Sequence, residues 1–475
     1  MLSAIVLLHR WLGFAFALLF AMWFATGMVM HFVPFPSLKE ADRFAGLSPI
    51  DAKNLIGPAD AIKAAGVADV LRVRLVQRSD GPVYIVSGRS AARSVNAIDA
   101  KDAAIVSPDA ARAVVDRYAR NRGMTAPSLS VSLNDYDQWS VPNGFDRYRP
   151  LFRVALGNAD GDELYVAWNT GEVVLVTNSR ERLWNYAGSV LHWIYPTVLR
   201  RNWAAWDWVV WTASFLASIA ALLGAILGIA RLKRRQGHLT TPYRGWHALH
   251  HVVGLAAAVF LLTWIVSGWL SMDHGRLFSR GQLTDAEAAV AVTGVDIAGL
   301  ASSIWPPVSP GAREVEWFAF GGQQFRRDRV ALDKQMLVRS GVAASDPTGL
   351  LGADDVTGLM SRLAPGCGAP GAVPADDAYE AASQLPSAPV YRTICGDVWF
   401  DVDSVNGMVL QRLDSSRRAY RWAYQALHTL EFPVLVQHPA TRTLIVVGLC
   451  TLGFLFSITG ILIGWRRLLL SLSRS

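Results

Sequence analysis

Ten histidines occur in the 475-residue chain, and nearly all of them flank long apolar stretches. Four recur at fixed offsets. His192 and His428 are 236 residues apart, each in an aromatic run that precedes an apolar stretch, and His9 and His250, in LHRWLGF and LHHVVGL, are 241 apart. An ionisable side chain at membrane depth is costly and points to function, and neutral imidazole is a common axial ligand of haem iron. The recurrence therefore suggests two bis-imidazole sites, His9 with His250 and His192 with His428, each clamping one haem. His31 is a rival for the second site, because its 22-residue separation from His9 is about 33 Å along a helix and about 40° around it. His247 and His251 are alternatives to His250. His274, turned about 240° from His250 on an ideal helix, is poorly placed. A solitary interfacial histidine beside Trp and Arg more often only touches lipid headgroups, so the symmetric recurrence carries the inference. No C-x-x-C-H occurs, which excludes covalent haem attachment through that motif.

The elements that must position these residues are membrane spans. At 52% hydrophobic and 17% charged residues, with 18 Trp, the chain is too apolar for an ordinary soluble protein of this length. A span needs about 20 apolar residues. Four stretches qualify, roughly 11 to 33, 203 to 230, 252 to 272 and 443 to 465. The offset of 236 also superposes Gly224 on Gly460, Gly228 on Gly464 and Arg231 on Arg467, and the offset of 241 superposes Gly13 on Gly254 and Gly27 on Gly268. Such long-period similarity reads as two tandem copies of helix, external domain, histidine-bearing segment and helix. The small-xxx-small glycines read as close-packing positions. The segmentation that follows is 1–33 first span, 34–200 first outer domain with the His192 segment, 201–231 second span, 232–246 basic loop, 247–273 third span, 274–440 second outer domain with the His428 segment, 441–466 fourth span and 467–475 tail.

Arg231, Lys233, Arg234, Arg235 and Arg244 lie in the short loop without an acid, Arg10 flanks the first span, and Arg466, Arg467 and Arg474 follow the last. The positive-inside rule makes this loop and both termini cytoplasmic and both large domains external, periplasmic in a cell with two membranes. That topology accounts for most of the +7 net charge, so nucleic-acid binding is not implied. The first span lacks a small-residue cleavage site after MVMHFVPFP and is expected to be retained. Four spans read as free of intramembrane acids make an ion-coupled transporter the weakest of the functional classes.

Each outer domain reads as α+β. SPIDAKNLIGPADAIKAAG and DAARAVVDRYARNRG are expected helices. VLRVRLVQRSDGPVYIVSG, PLFRVALGNADGDELYVAWNTGEVVLVT and AREVEWFAFGG are expected strands. LAPGCGAPGAVPADD reads as a loop. Cys367 and Cys395 share the second outer domain, where a disulfide can persist, and Cys450 reads as an inert residue inside the last span.

In their order, LHRWLG, DAIKAAG with GPVYIV and NAIDAKDAAIV, VLHWIYP, ALHHVVG and ALHTLEFP resemble the PepSY-associated transmembrane proteins, a family that includes bacterial inner-membrane ferric-siderophore reductases. The resemblance covers nearly the whole chain. It implies an integral membrane protein of four transmembrane α-helices with two periplasmic PepSY-like domains, and, in redox members, b-type haem held by paired histidines. The expected function is an inner-membrane di-haem oxidoreductase that passes electrons outward to a periplasmic acceptor such as a ferric siderophore. No convincing G-x-G-x-x-G motif is present, so the electrons come from another protein, a quinol or a diffusible donor. The contrasting expectation is a non-redox membrane protein whose PepSY modules bind peptides or partner proteins and regulate a protease or an envelope process.

Overall fold

Four helices long and apolar enough to cross a membrane dominate the computed structural model: Leu2–Phe32, Trp203–Ala230, Gly245–Ser271 and Pro439–Leu472. The structure describes residues 2–124, 127–236, 238–341, 349–379 and 388–473, so Arg474 of the basic tail lies outside the described residues. The second helix coincides with its expected span and the fourth overruns its span at both ends, while the first and third start earlier than expected and stop one residue short. The first helix packs on the fourth and the second on the third, and the ring closes through first-to-second and third-to-fourth contacts. At its centre Phe24 stacks on Trp264 and meets the edge of Phe260. Gly453 leaves room for the Phe24 ring, where an added Cβ would stand 2.7 Å away. Gly228 and Gly464 face Leu255 and Phe14 and are packing glycines, as expected.

Between the first and second helices, β1 (Val70–Arg78), β2 (Gly81–Gly88) and β3 (Ala92–Asn96) precede a meander of β4 (Ser128–Asn134), β5 (Leu151–Leu156), β6 (Glu163–Ala167) and β7 (Val173–Thr177). The hairpin of β8 (Lys233–Arg235) and β9 (His238–Thr240) links the second helix to the third. Beyond the third lie β10 (Glu314–Phe320), β11 (Gln323–Ala331) and β12 (Lys334–Arg339), then a sheet of β13 (Gly371–Ala372), β14 (Val390–Cys395), β15 (Val398–Asp403) and β16 (Val409–Leu413). Cys367 and Cys395 form a disulfide that ties the glycine-rich loop to β14. Cys450 is buried in the fourth helix.

The segments that follow the first and third spanning helices share a sheet. β1 pairs antiparallel with β10, joining the strands into one six-stranded sheet of order β12-β11-β10-β1-β2-β3. One face is apolar: Val73, Leu75, Tyr84, Val315 and Trp317 are buried together under the helices Pro58–Ala65 and Ile297–Ser302. On the other face Glu314 sits within 3.3 Å of Arg43, Arg74 and Arg329, and Glu316 lies 2.9 Å from Arg72 and 2.6 Å from Arg327. Burial pushes the Glu314 carboxyl up, but the Arg43, Arg74 and Arg327 guanidiniums outweigh it and hold the group well below the usual carboxylate range.

A short helix, Glu40–Ala45, follows the first span, and the helix expected over SPIDAKNLIGPADAIKAAG is shorter than its sequence suggests. It starts at Pro58, where the fixed φ of proline suits the first turn, and stops at Gly66, whose φ of 60° permits a left-handed cap. Residues 48 to 57 are instead irregular, with a turn at Lys53 and Asn54 and with Ile50 N–H bonded to Ala312 O at 2.8 Å.

Candidate functional site

His192 and His428 are delivered by matching irregular segments. A helix capped by Asn178 runs Ser179–Asn185 and one capped by Asp414 runs Ser415–Tyr420, and each passes into a π-helical turn, Tyr186–Val190 and Arg421–Ala426. Such turns widen the helix and recur at functional sites. Two residues past each histidine the backbone is left-handed at a branched residue, Ile194 at φ 49° and Leu430 at φ 54°. That conformation costs on the order of 1–3 kcal/mol. It is offset by the backbone bonds it allows, Tyr195 N–H to Val190 O at 2.8 Å and Glu431 N–H to Gln425 O at 3.0 Å.

The hydrogen bonds set the tautomer of four rings. The Thr26 hydroxyl donates to Met22 O at 2.7 Å, so at 3.0 Å from His192 Nδ1 it accepts that proton. His428 Nδ1 donates to Trp264 O at 3.0 Å, and His9 Nδ1 to Ala220 O at 3.1 Å. The Thr459 hydroxyl, committed to Phe456 O at 2.6 Å, accepts from His250 Nδ1 at 2.8 Å. In every case the proton is held on Nδ1 and the lone pair is left on Nε2, the arrangement by which an outer partner orients a metal-ligating histidine.

Glycines give these rings their seats. A Cβ at Gly224 would stand 2.8 Å from His9 Cε1 and one at Gly268 2.9 Å from His428 Cε1, while Gly27 and Gly460 face His192 and His250 at 3.4 and 3.6 Å. Gly224 and Gly460 are therefore ring seats, and the helix-packing role expected for them is incomplete. Sequence reasoning also missed Thr26 and Thr459, and Ser267, whose hydroxyl lies 3.2 Å from His428 Nδ1. The available signal was a small hydroxyl residue immediately before Gly27, Gly268 and Gly460.

The rings of His192 and His428 lie with centres 6.4 Å apart and planes at 60°. Two imidazoles bound through Nε2 on opposite sides of one metal, at about 2.0–2.1 Å each, put their centres roughly 6.3 Å apart. His9 and His250 line a single cavity of about 670 Å³ between the four helices, at the end where Arg10, Arg231 and Arg467 also line it. This volume is in the range of small-molecule and cofactor sites. Phe456 stacks on His250 with centres 4.6 Å apart.

The remaining histidines are placed differently. His247 and His251 line the same cavity, but His251 spends Nε2 on Gly228 O at 2.8 Å and its Nδ1 is buried without a partner. His31 Nε2 bonds the Thr443 hydroxyl at 2.8 Å. His274 lies past the end of the third helix and bonds Asp207 at 2.5 Å. Asp207 is buried within the second helix, which corrects the expectation that the spans hold no acid. A single aspartate near a helix start did not disturb the apolar pattern of the rest.

Among the described residues no group of three or more His, Cys, Asp or Glu side chains could hold a metal ion. A metal at either histidine pair would have two protein ligands only. No curated protein matches the chain. The family model described as PepSY-associated TM region matches residues 6–467, nearly the whole length, and the protein belongs to that family.

Proposed function

We propose that the protein is a di-haem b-type oxidoreductase of the bacterial inner membrane, with haem iron held by His9 and His250 in one site and by His192 and His428 in the other. The observation that carries this reading is the state of the four rings: each has Nδ1 tied to an acceptor, with no hydrogen bond to Nε2 among the described residues, and one pair is spaced for a shared metal. Two axial imidazoles with no third side-chain ligand suit a metal whose four equatorial positions are filled by a macrocycle. Haem supplies a one-electron carrier. The chain's own part is to fix the imidazoles and exclude water through Phe24, Phe260, Trp264 and Phe456.

The basic hairpin and the termini would face the cytoplasm, and the sheets the periplasm, in two tandem copies of the same unit. Electrons would then leave at the sheet end for a ferric siderophore. Reduction of Fe(III) to Fe(II) weakens its hold by hard oxygen ligands and frees the metal. The test uses sealed vesicles holding protein reduced beforehand, with a membrane-impermeant ferric siderophore and a ferrous chelator outside. Right-side-out vesicles should reoxidise the protein and form the ferrous chelate, and inverted vesicles should not. Equal rates from both orientations, or none from either, would contradict the reading.

The ring seats give a graded prediction. Gly224→Ala and Gly268→Ala force an imidazole aside and should each cost most of the haem at one site. Gly27→Ala and Gly460→Ala meet the ring at 3.4 and 3.6 Å and should retain haem nearly in full. Haem-to-protein ratios across the four variants check this, and uniform retention would remove the seat assignment.

A further inference from the structure

The second and third spanning helices meet at the sheet end in a group that the haem sites do not use. Asp207 is the single acidic residue in the four spanning helices. It is 4% exposed, bonds His274 Nδ1 through Oδ2 at 2.5 Å, and has Oδ1 buried without a partner among the described residues. His274 packs against two adjoining indoles, with ring centres 4.4 Å from Trp208 and 4.9 Å from Trp211. Trp269 lies 5.9 Å from Trp211, and its Nε1 is also buried without a partner. An ionisable group at this depth with an unused oxygen is expensive unless something uses it.

The chemistry on offer is specific. The carboxylate holds the His274 proton on Nδ1 and leaves Nε2 as an acceptor, and the His274 side chain is 21% exposed, so one edge of the ring is reachable. A free N–H donor on Trp269 and a free carboxylate oxygen stand in the same cluster. Trp208 at 57% and Phe215 at 37% exposure open the cluster on the flank that lipid would cover. A planar ring carrying hydroxyls and a lipid-soluble tail matches each feature: the indoles stack on the ring, His274 accepts from a hydroxyl, and the tail stays in the bilayer.

We propose that the Asp207–His274 cluster binds the headgroup of a lipid-soluble hydroquinone, with His274 as the acceptor of its first proton. This rests on the haem reading, whose electron source it supplies. Oxidation of one hydroquinone to the quinone breaks two O–H bonds and releases two electrons and two protons. The electrons reduce the two ferric haems, one each. The first proton goes to His274 Nε2, giving an imidazolium beside the Asp207 carboxylate, and the second goes to water at the sheet end. Trp269 adjoins Gly268, on which the His428 ring sits, so the cluster borders one of the two iron sites. The first and fourth helices have His31 on Thr443 at the corresponding junction, with no acid, and should bind no headgroup.

The experiment uses full-length protein in nanodiscs and a short-chain naphthoquinone with its quinol. Saturable quenching of tryptophan emission by the quinone reports binding whether or not haem is present. His274→Gln and Asp207→Asn should weaken that affinity about tenfold or more, the loss expected for a charge-assisted hydrogen bond, while Thr443→Ala should leave it unchanged. Thermal melting and the haem spectrum of each variant show that it has folded. Failure of the wild type to saturate, or equal affinity in folded His274→Gln and Asp207→Asn, would overturn the site. Haem that is reduced by dithionite but not by the quinol would also overturn it and leave the haem reading intact. Saturable, His274-dependent quenching of a haem-free protein would support the site and sink the haem reading.

Discussion

Replacing His192 or His428 by alanine should remove one of two haems from the purified protein and leave the other with an unchanged spectrum. The two rings share one metal position in the proposal, and a haem with one axial imidazole is held less tightly and changes spin state. Either substitution should therefore have the same effect, although the residues are 236 positions apart. His9→Ala and His250→Ala should form a second class that loses the other haem, with a spectral difference complementary to the first. His31→Ala, with Nε2 occupied by Thr443, and His251→Ala, with Nε2 occupied by Gly228 O, should keep both. Unchanged haem content in His192→Ala and His428→Ala would show the pairing to be wrong, and loss in His31→Ala in the same experiment would then transfer the site to the end of the first helix.

The second large effect is on stability. Glu314 is 1% exposed and lies against three guanidiniums, so Glu314→Gln preserves its shape while leaving Arg43, Arg74 and Arg329 short of a counter-charge. Breaking one partner out of a buried ion pair costs about 3–5 kcal/mol. The lower end is expected because Arg43 and Arg329 keep Glu40, and Arg74 keeps Glu172. Unfolding of the outer region should move down by roughly 5–10 °C. The pH dependence has a definite sign. The folded Glu314 carboxyl is held below its ordinary value, so the unfolded chain takes up the proton first. The stabilisation is fully present above the unfolded value of about 4.3 and is lost as pH falls below it, through the lower folded value. In Glu314→Gln this part of the acid sensitivity should disappear. Melting within a degree of the wild type at neutral pH, with the same acid limb, would mean that the ion web contributes nothing.

The spans and the histidine pairs were legible because both signals are one-dimensional. A run of apolar residues identifies a span without reference to its partners, and the offsets of 236 and 241 align the pairs within one string. The shared sheet was not legible. Pairing β1 with β10 joins residues such as Arg74 and Glu316 across 242 positions, and nothing in the string alone sets Arg72, Arg74, Arg327 and Arg329 against Glu314 and Glu316. The π-helical turns before His192 and His428 escaped for a related reason. Their residues have ordinary helical preferences, and no residue type in the string marks the wider turn that precedes the left-handed Ile194 and Leu430. His274 was set aside by extending an ideal helix past Ser271, where the helix has already ended. Asp207, its partner, was absorbed into an apolar average.

The contrasting view, a non-redox membrane protein that regulates through its outer domains, has no use for four imidazoles with Nε2 left bare. The most direct measurement is a reduced-minus-oxidised absorption spectrum of the full-length protein purified from haem-replete cells, with haem and protein quantified on the same sample. The account predicts a reducible Soret band of low-spin, bis-imidazole character and a stoichiometry approaching two haems per chain. A folded, monodisperse and colourless preparation that stays colourless after haem is added would contradict it.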